Sequence, residues 1–211
     1  MIRMITAMTP QRGIGFKGKM PWEAYGIRLL EDMQHFKALT TSHTQRKAVI
    51  MGRETWDSLP KSVKPLSNRT NYVLSRKQSY VLPHIQQLTY TMPSIYHCIE
   101  HAVATNHSEI WVIGGEIVYK QFLDKQLVND IWITMVNKEF QADRFFPEIP
   151  SFKKTHTFAN NKSPIHIFGK SRGVDIEESL PLVFERWEKR TQQEHFYTDG
   201  AFQMTHAKYT P

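Results

Sequence analysis

One cysteine, Cys98, is all that the chain contains, so no intramolecular disulfide can staple the fold. That excludes the small disulfide-built scaffolds and suits a reducing compartment, so a cytoplasmic location is expected. No apolar run is long enough to span a membrane, and the opening "MIRMITAMTP" holds too short an apolar stretch for a signal peptide. Neither export nor membrane association is expected. The sequence has no internal repeat, no low-complexity tract, no zinc-finger spacing and no G-x-G-x-x-G fingerprint. No metal site is expected. Charge of one sign is in excess, with a formal net of +7, but no basic run goes beyond short pieces such as "RK" and "KR". The stripe expected of a nucleic-acid binder is therefore missing, while small anionic ligands suit such a surface.

What is present is enough for one domain with a proper core, running over the whole of 1–211. Residues 2–8, "IRMITAM", read as a strand bounded by Thr9-Pro10, and 11–25 as a loop with glycines at 13, 15 and 18. A helix is expected over 26–40. "KAVIMG" (47–52) reads as a buried strand ending in glycine, followed by a short helix over 53–59 and a strand at 70–75. Ser94 is a candidate N-cap for a helix through residue 104. "EIWVIGG" (109–115) is a strand ending in two glycines, 116–123 the helix after it, and 130–136 a further strand. The tail 194–209 reads as a β-hairpin turning near Asp199-Gly200. Strands alternating with helices argue a parallel-rich α/β sheet, in which ligands bind outside the carboxyl ends of strands. The loop after residue 8, Gly52 and Gly114-Gly115 all gather at such ends.

On a helical wheel for residues 29–40, Leu39, Phe36, Leu29, Thr40 and Met33 form one arc. Asp32 lies inside it, and its neighbour Glu31 points elsewhere. A lone carboxylate on an apolar face is expensive to bury and normally has a partner or a function. The alternative is a first-turn acid that complements the helix dipole. A helix beginning near residue 26 would place Asp32 beyond that turn.

"GIGFKGKMPW" (13–22), "DMQHFK" (32–37), "VIMGRETWDSL" (49–59), "NRTNYVLSR" (68–76), "WVIGGEIVYKQFL" (111–123) and "IWITMV" (131–136) succeed one another in this order. Together they resemble the dihydrofolate reductase family, over roughly residues 1–148 plus the C-terminal hairpin. The resemblance implies a mostly parallel eight-stranded sheet with an antiparallel C-terminal edge hairpin and about four flanking helices. It implies hydride transfer from NADPH to C6 of dihydrofolate and protonation at N5, giving tetrahydrofolate. The expected partners are NADPH and dihydrofolate, with polyglutamated dihydrofolate as an extension, and the expected state is a monomer.

The resemblance also assigns roles. Asp32 matches the acid that accepts two hydrogen bonds from the pterin, where charge assistance strengthens both. Thr134 matches the threonine bonded to that acid, Trp22 the tryptophan holding a water beside it, and Met20 the loop residue closing over the nicotinamide. Ile5 and Ile113 match positions flanking the pterin. Met33, Phe36, Leu59 and Leu66 match the apolar walls around the aminobenzoyl group, and Arg69 the arginine gripping the glutamate carboxylate, for which a planar guanidinium suits better than lysine. For the cofactor, Gly52 and Arg53 open a helix whose N–H groups can meet phosphate, and Thr55 adds a hydroxyl. Ser75 and Arg76, with Arg53, match the group around the 2′-phosphate. Gly114-Gly115 matches a bond that is cis in the family, and Tyr119 the tyrosine near the nicotinamide. Ala7, Gly13, Ile14, Gly15, Leu74 and Val118 complete the expected cofactor contacts.

The chain departs from the family pattern in places. Glu54 and Glu116 are acids close to the expected phosphate positions, and the approach to Asp32, "EAYGIRLLE", is about five residues longer than usual. Residues 151–183 read as an insertion if Trp187 and the residues after it supply the late strand; a second register uses "FKKTHTFA" (152–159) as that strand and places the extra residues later. Two other classes fit the residues less well. A same-fold reductase of a pteridine or a riboflavin-pathway intermediate would lack the combined Pro-Trp loop and "DMxxF" helix. A basic, non-catalytic binding protein would have no use for Asp32, Trp22 and Thr134. A longer bifunctional chain with thymidylate synthase is compatible with the residues given.

Overall fold

The computed structural model of the protein describes residues 1–77, 88–163, 166–167 and 180–191. In chain order the strands are β1 (Ile2–Met8), β2 (Gly13–Gly15), β3 (Ile27–Arg28), β4 (Lys47–Gly52), β5 (Thr70–Leu74), β6 (Thr89–Met92), β7 (Glu109–Val112), β8 (Asp130–Val136), β9 (Arg144–Phe145), β10 (Phe152–Ser163), β11 (His166–Ile167) and β12 (Leu180–Lys189). The helices are α1 (Leu30–Thr40), α2 (Arg53–Ser58), α3 (Ile95–Ala104) and α4 (Glu116–Asp124). No helix among the described residues is long and apolar enough to cross a membrane.

Eight strands form one sheet in the order β10-β12-β8-β1-β7-β4-β5-β6. All neighbours from β8 to β6 pair in parallel, whereas β12 runs antiparallel to both β8 and β10. Strands covered on both faces are apolar throughout, as in β4, where Ala48, Val49, Ile50 and Met51 are all fully buried. Alternate side chains then feed two cores. Met4, Ile50, Val112 and Ile133 pack with Cys98 of α3 and Phe122 of α4 on one face. Ile5, Val49, Met51 and Trp111 pack with Trp56 of α2 and Phe36 of α1 on the other.

Three expectations are corrected by the structure. The helix expected from residue 26 begins at Leu30. Gly26 ends a short 3-10 turn over Pro21–Tyr25 in the left-handed conformation, with φ 76°, and Ile27–Arg28 then pair with His166–Ile167. Asp32 therefore does lie in the first turn of its helix. Residues 152–163 lie within the main sheet as strand β10, so they are the sheet strand of the second register. The antiparallel edge pair is β10 with β12; the hairpin expected at 194–209 lies outside the described residues. Ser94 caps α3 as expected, its side chain accepting from the His97 N–H.

Candidate active site

Asp32 projects from the start of α1 towards the middle of β8. Burial pushes its carboxyl up to about 6 from an ordinary 3.8, and the Thr134 hydroxyl, which donates to it, pulls part of the way back. Because the group stands in the first turn, the helix dipole also favours its ionised form. Burial wins nonetheless, so the acid changes charge close to neutral pH. Tyr119 is close enough for the Asp32 charge to raise its phenol further, on top of burial. Its hydroxyl donates to the Ile5 carbonyl at 2.8 Å. Trp22 is buried, packed with Ala7, Ile27 and Leu29, and Met20 rests against the same cluster. Asp32, Thr134, Tyr119 and Ile5 are thus brought together, with Trp22 and Met20 on the loop before α1.

An apolar wall leads away from the acid. Ile5 and Leu66 are buried in one cluster, and Phe36, Leu59 and Ile113 pack against it. Met33 stands apart from this cluster and is 51% exposed. Arg69 closes the far end, its guanidinium 5.5 Å from the Phe36 ring centroid. It is 6% exposed, donates to the Ser67 carbonyl at 3.1 Å and to the Thr40 hydroxyl, and has no carboxylate within ion-pair distance among the described residues. Burial lowers its pKa to about 10. A buried cation supplied only with neutral partners is a place for an anion.

The cofactor candidates lie along the carboxyl ends of β4, β5 and β7. Gly52 pairs in register with Leu74, which leads to Ser75 and the exposed Arg76. The Gly52 N–H donates to the Gly114 carbonyl at 2.7 Å, and the Gly114–Gly115 peptide is cis. Gly114 holds φ 107°, and a Cβ there would stand 3.0 Å from the Tyr119 ring. A Cβ on Gly115 would meet the Thr55 hydroxyl at 3.3 Å, and one on Gly52 would meet Val118 at 3.2 Å. The starts of α2 and α4 therefore lie side by side with bare backbone between them, which fits a diphosphate. Arg53 is held to Asp57 at 3.5 Å. Ile14, Val118 and Tyr119 are buried together in the adjoining core.

The dihydrofolate reductase family profile matches residues 1–167. The viral dihydrofolate reductase of Saimiriine herpesvirus 2 (strain 488) is 31% identical over 192 residues, covering 90% of this chain and 85% of the relative. The Bos taurus dihydrofolate reductase is 31% identical over 192 residues, covering 89% and 97%. This chain belongs to the dihydrofolate reductase family. In fold it is similar to the dihydrofolate reductase from Enterococcus faecalis solved with NADP(H) and RAB-propyl. The TM-score is 0.68 and the identity 24%, covering 90% of this chain and 97% of that one.

Sequence reasoning missed the stitching that steadies the loop ahead of Asp32 in this chain. Asp143 accepts the Lys17 N–H at 2.9 Å, and its own N–H donates to the Gly15 carbonyl at 2.9 Å. Thr9 accepts the Gly13 N–H at 3.0 Å through its hydroxyl. A single aspartate in a mixed loop carries no pattern that predicts such contacts, since its partners lie far off in the chain. Of the two acids that depart from the dihydrofolate reductase pattern, Glu54 is exposed on α2, whereas Glu116 accepts the Phe145 N–H of β9 at 3.4 Å.

Proposed function

We infer that the protein reduces 7,8-dihydrofolate to 5,6,7,8-tetrahydrofolate with NADPH, in one-carbon and thymidylate metabolism. The observation that carries the reading is Asp32, a carboxyl group on an apolar wall with its pKa moved close to neutral, in a chain of this family. Bound NADPH supplies the hydride. Ionised Asp32 accepts the 2-amino and ring N–H groups of the pterin and fixes the ring's orientation. Thr134 keeps the carboxylate aimed, and Trp22 and Met20 control water beside it, through which a proton reaches N5. The wall of Ile5, Phe36, Leu59, Leu66 and Ile113, with Met33 at its exposed margin, takes the aminobenzoyl group. Arg69 takes the glutamate carboxylate, of dihydrofolate or its polyglutamates.

For the cofactor, the bare backbone at Gly52, Gly114 and Gly115 with Thr55 holds the phosphates, and Arg53, Ser75 and Arg76 hold the 2′-phosphate. Ala7, Gly13, Ile14, Gly15, Leu74, Val118 and Tyr119 line the rest. We further propose a cytoplasmic monomer that binds neither nucleic acid nor membrane. The single, buried cysteine and the scattered positive charge support that reading.

The test is loss of NADPH absorbance with dihydrofolate, for wild type and Asp32→Asn side by side. Wild type should turn over, with a pH profile that bends near pH 6. The variant should lose two or more orders of magnitude at neutral pH, on the order expected for a positioned acid–base group, and lose the bend. Near-normal turnover in a folded Asp32→Asn protein would show that another carboxylate does this work.

A further inference from the structure

We propose that Glu116 is a positioning residue that ties the start of the cofactor helix α4 to the strand steadying the loop ahead of Asp32. Residues 143–146 form a bridge between two parts of the site. On one side they hold the loop: β9 pairs with β2, the Asp143 N–H donates to the Gly15 carbonyl at 2.9 Å, and the Phe146 N–H donates to the Arg12 carbonyl at 2.8 Å. On the other side they meet α4 twice. The Tyr119 ring packs edge-on against Phe146, with centroids 5.0 Å apart. Glu116 reaches from the first turn of α4 and accepts the Phe145 backbone N–H at 3.4 Å.

This second contact changes the meaning of an acid at that position. A carboxylate beside the expected phosphates opposes them if it is free to face them. Here it is engaged by a backbone donor of β9. Releasing it deprives β9, and with it Gly13–Gly15, of an anchor. Ordering that loop around the cofactor then costs more entropy. The contact is an acceptor's role, so an uncharged acceptor of the same shape can serve it. The inference rests on the reading of α4 as the cofactor helix.

The experiment compares wild type, Glu116→Ala and Glu116→Gln. NADPH affinity is read by fluorescence, KM for NADPH and for dihydrofolate by steady-state kinetics, folding by urea midpoint, and the Phe145 amide by hydrogen exchange. Loss of one hydrogen bond should raise the Kd and KM for NADPH about three- to tenfold in Glu116→Ala, leave the KM for dihydrofolate within about twofold, and speed exchange at Phe145. Glutamine should restore the wild-type values or tighten NADPH. A glutamine variant as impaired as alanine would overturn the proposal, and so would an alanine variant with wild-type NADPH affinity. Losses shared equally by both ligands with a lowered urea midpoint would reduce Glu116 to a structural residue. A wild type that binds NADPH but does not oxidise it with dihydrofolate would sink the proposed reaction alone, leaving the affinity comparison to decide Glu116. A wild type that binds no NADPH would overturn both.

Discussion

Asp32 stands where the free protein would be more stable without a charge. Its pKa is raised from 3.8 to about 6 by burial. Between those two values the folded chain keeps a proton that the unfolded chain has given up. Stability therefore falls as pH rises through this window and stays lower above it. Replacing the acid by asparagine removes the charge and the linkage together. The Asp32→Asn protein should match wild type near pH 4 and exceed it at pH 7.5, by on the order of 1–3 kcal/mol, in urea unfolding without ligands. A variant no more stable than wild type at pH 7.5 would mean that water reaches the carboxylate freely and burial does not set its pKa. The expected trade is stability given up at the group proposed to do the chemistry, a common feature of catalytic sites.

At the scale of elements, the junction of β7 with α4 is the most constrained. An alanine at Gly114 must accept φ 107° and place its Cβ 3.0 Å from a Tyr119 ring already pinned to Ile5 and packed on Phe146. Gly114→Ala should lower the urea-derived stability by about 1–3 kcal/mol and weaken NADPH more than dihydrofolate. Unchanged NADPH affinity in the variant would separate this junction from the cofactor. This junction and strands β4 and β7 were legible in the sequence because apolar runs end in glycine there, as in "KAVIMG" and "EIWVIGG". The inward face of Asp32 was legible from helical periodicity, but its role came only with the family resemblance. The start of α1 was not, because it is set by pairing of Ile27–Arg28 with His166–Ile167, a partner distant in the chain. Strands β10 and β12 were obscured for another reason: an edge pair mixes charged and apolar side chains, as in "FKKTHTFA" and "LPLVFERWEK". Arg69 and Thr134 became readable only through the family resemblance, and Asp143 not at all, because its contribution is hydrogen bonding to backbone brought near by the fold.

Across the whole molecule the two ends of the sheet divide the labour. The carboxyl ends of the parallel strands hold the candidate site, while their amino ends hold a ladder of alternating charge. Lys47 pairs with Glu109 at 2.8 Å, Glu109 with Arg3 at 3.4 Å, Arg3 with Asp130 at 3.6 Å, Asp130 with Arg186 at 3.1 Å, and Arg186 with Glu188 at 2.9 Å. Two indoles sit in the ladder: Trp111 donates to Glu109 and lies under Arg3, and Trp132 donates to Asp130 and lies under Arg186. The rungs join β4, β7, β1, β8 and β12, so the antiparallel strand is clamped to the parallel ones at the end remote from Asp32. Asp130 is the most buried rung, 3% exposed, with two arginines and an indole N–H upon it. Asparagine in its place keeps the shape but leaves both cations undercompensated, although each retains another carboxylate. Asp130→Asn should lose roughly 2–4 kcal/mol in urea unfolding, somewhat less than a buried charge left wholly unpaired. Below its unfolding transition it should keep wild-type kcat and both KM values, because no rung reaches the reacting atoms. A fall of more than about threefold in kcat with the fold intact would show that the clamp and the site act as one unit, since well-separated residues are otherwise expected to behave additively.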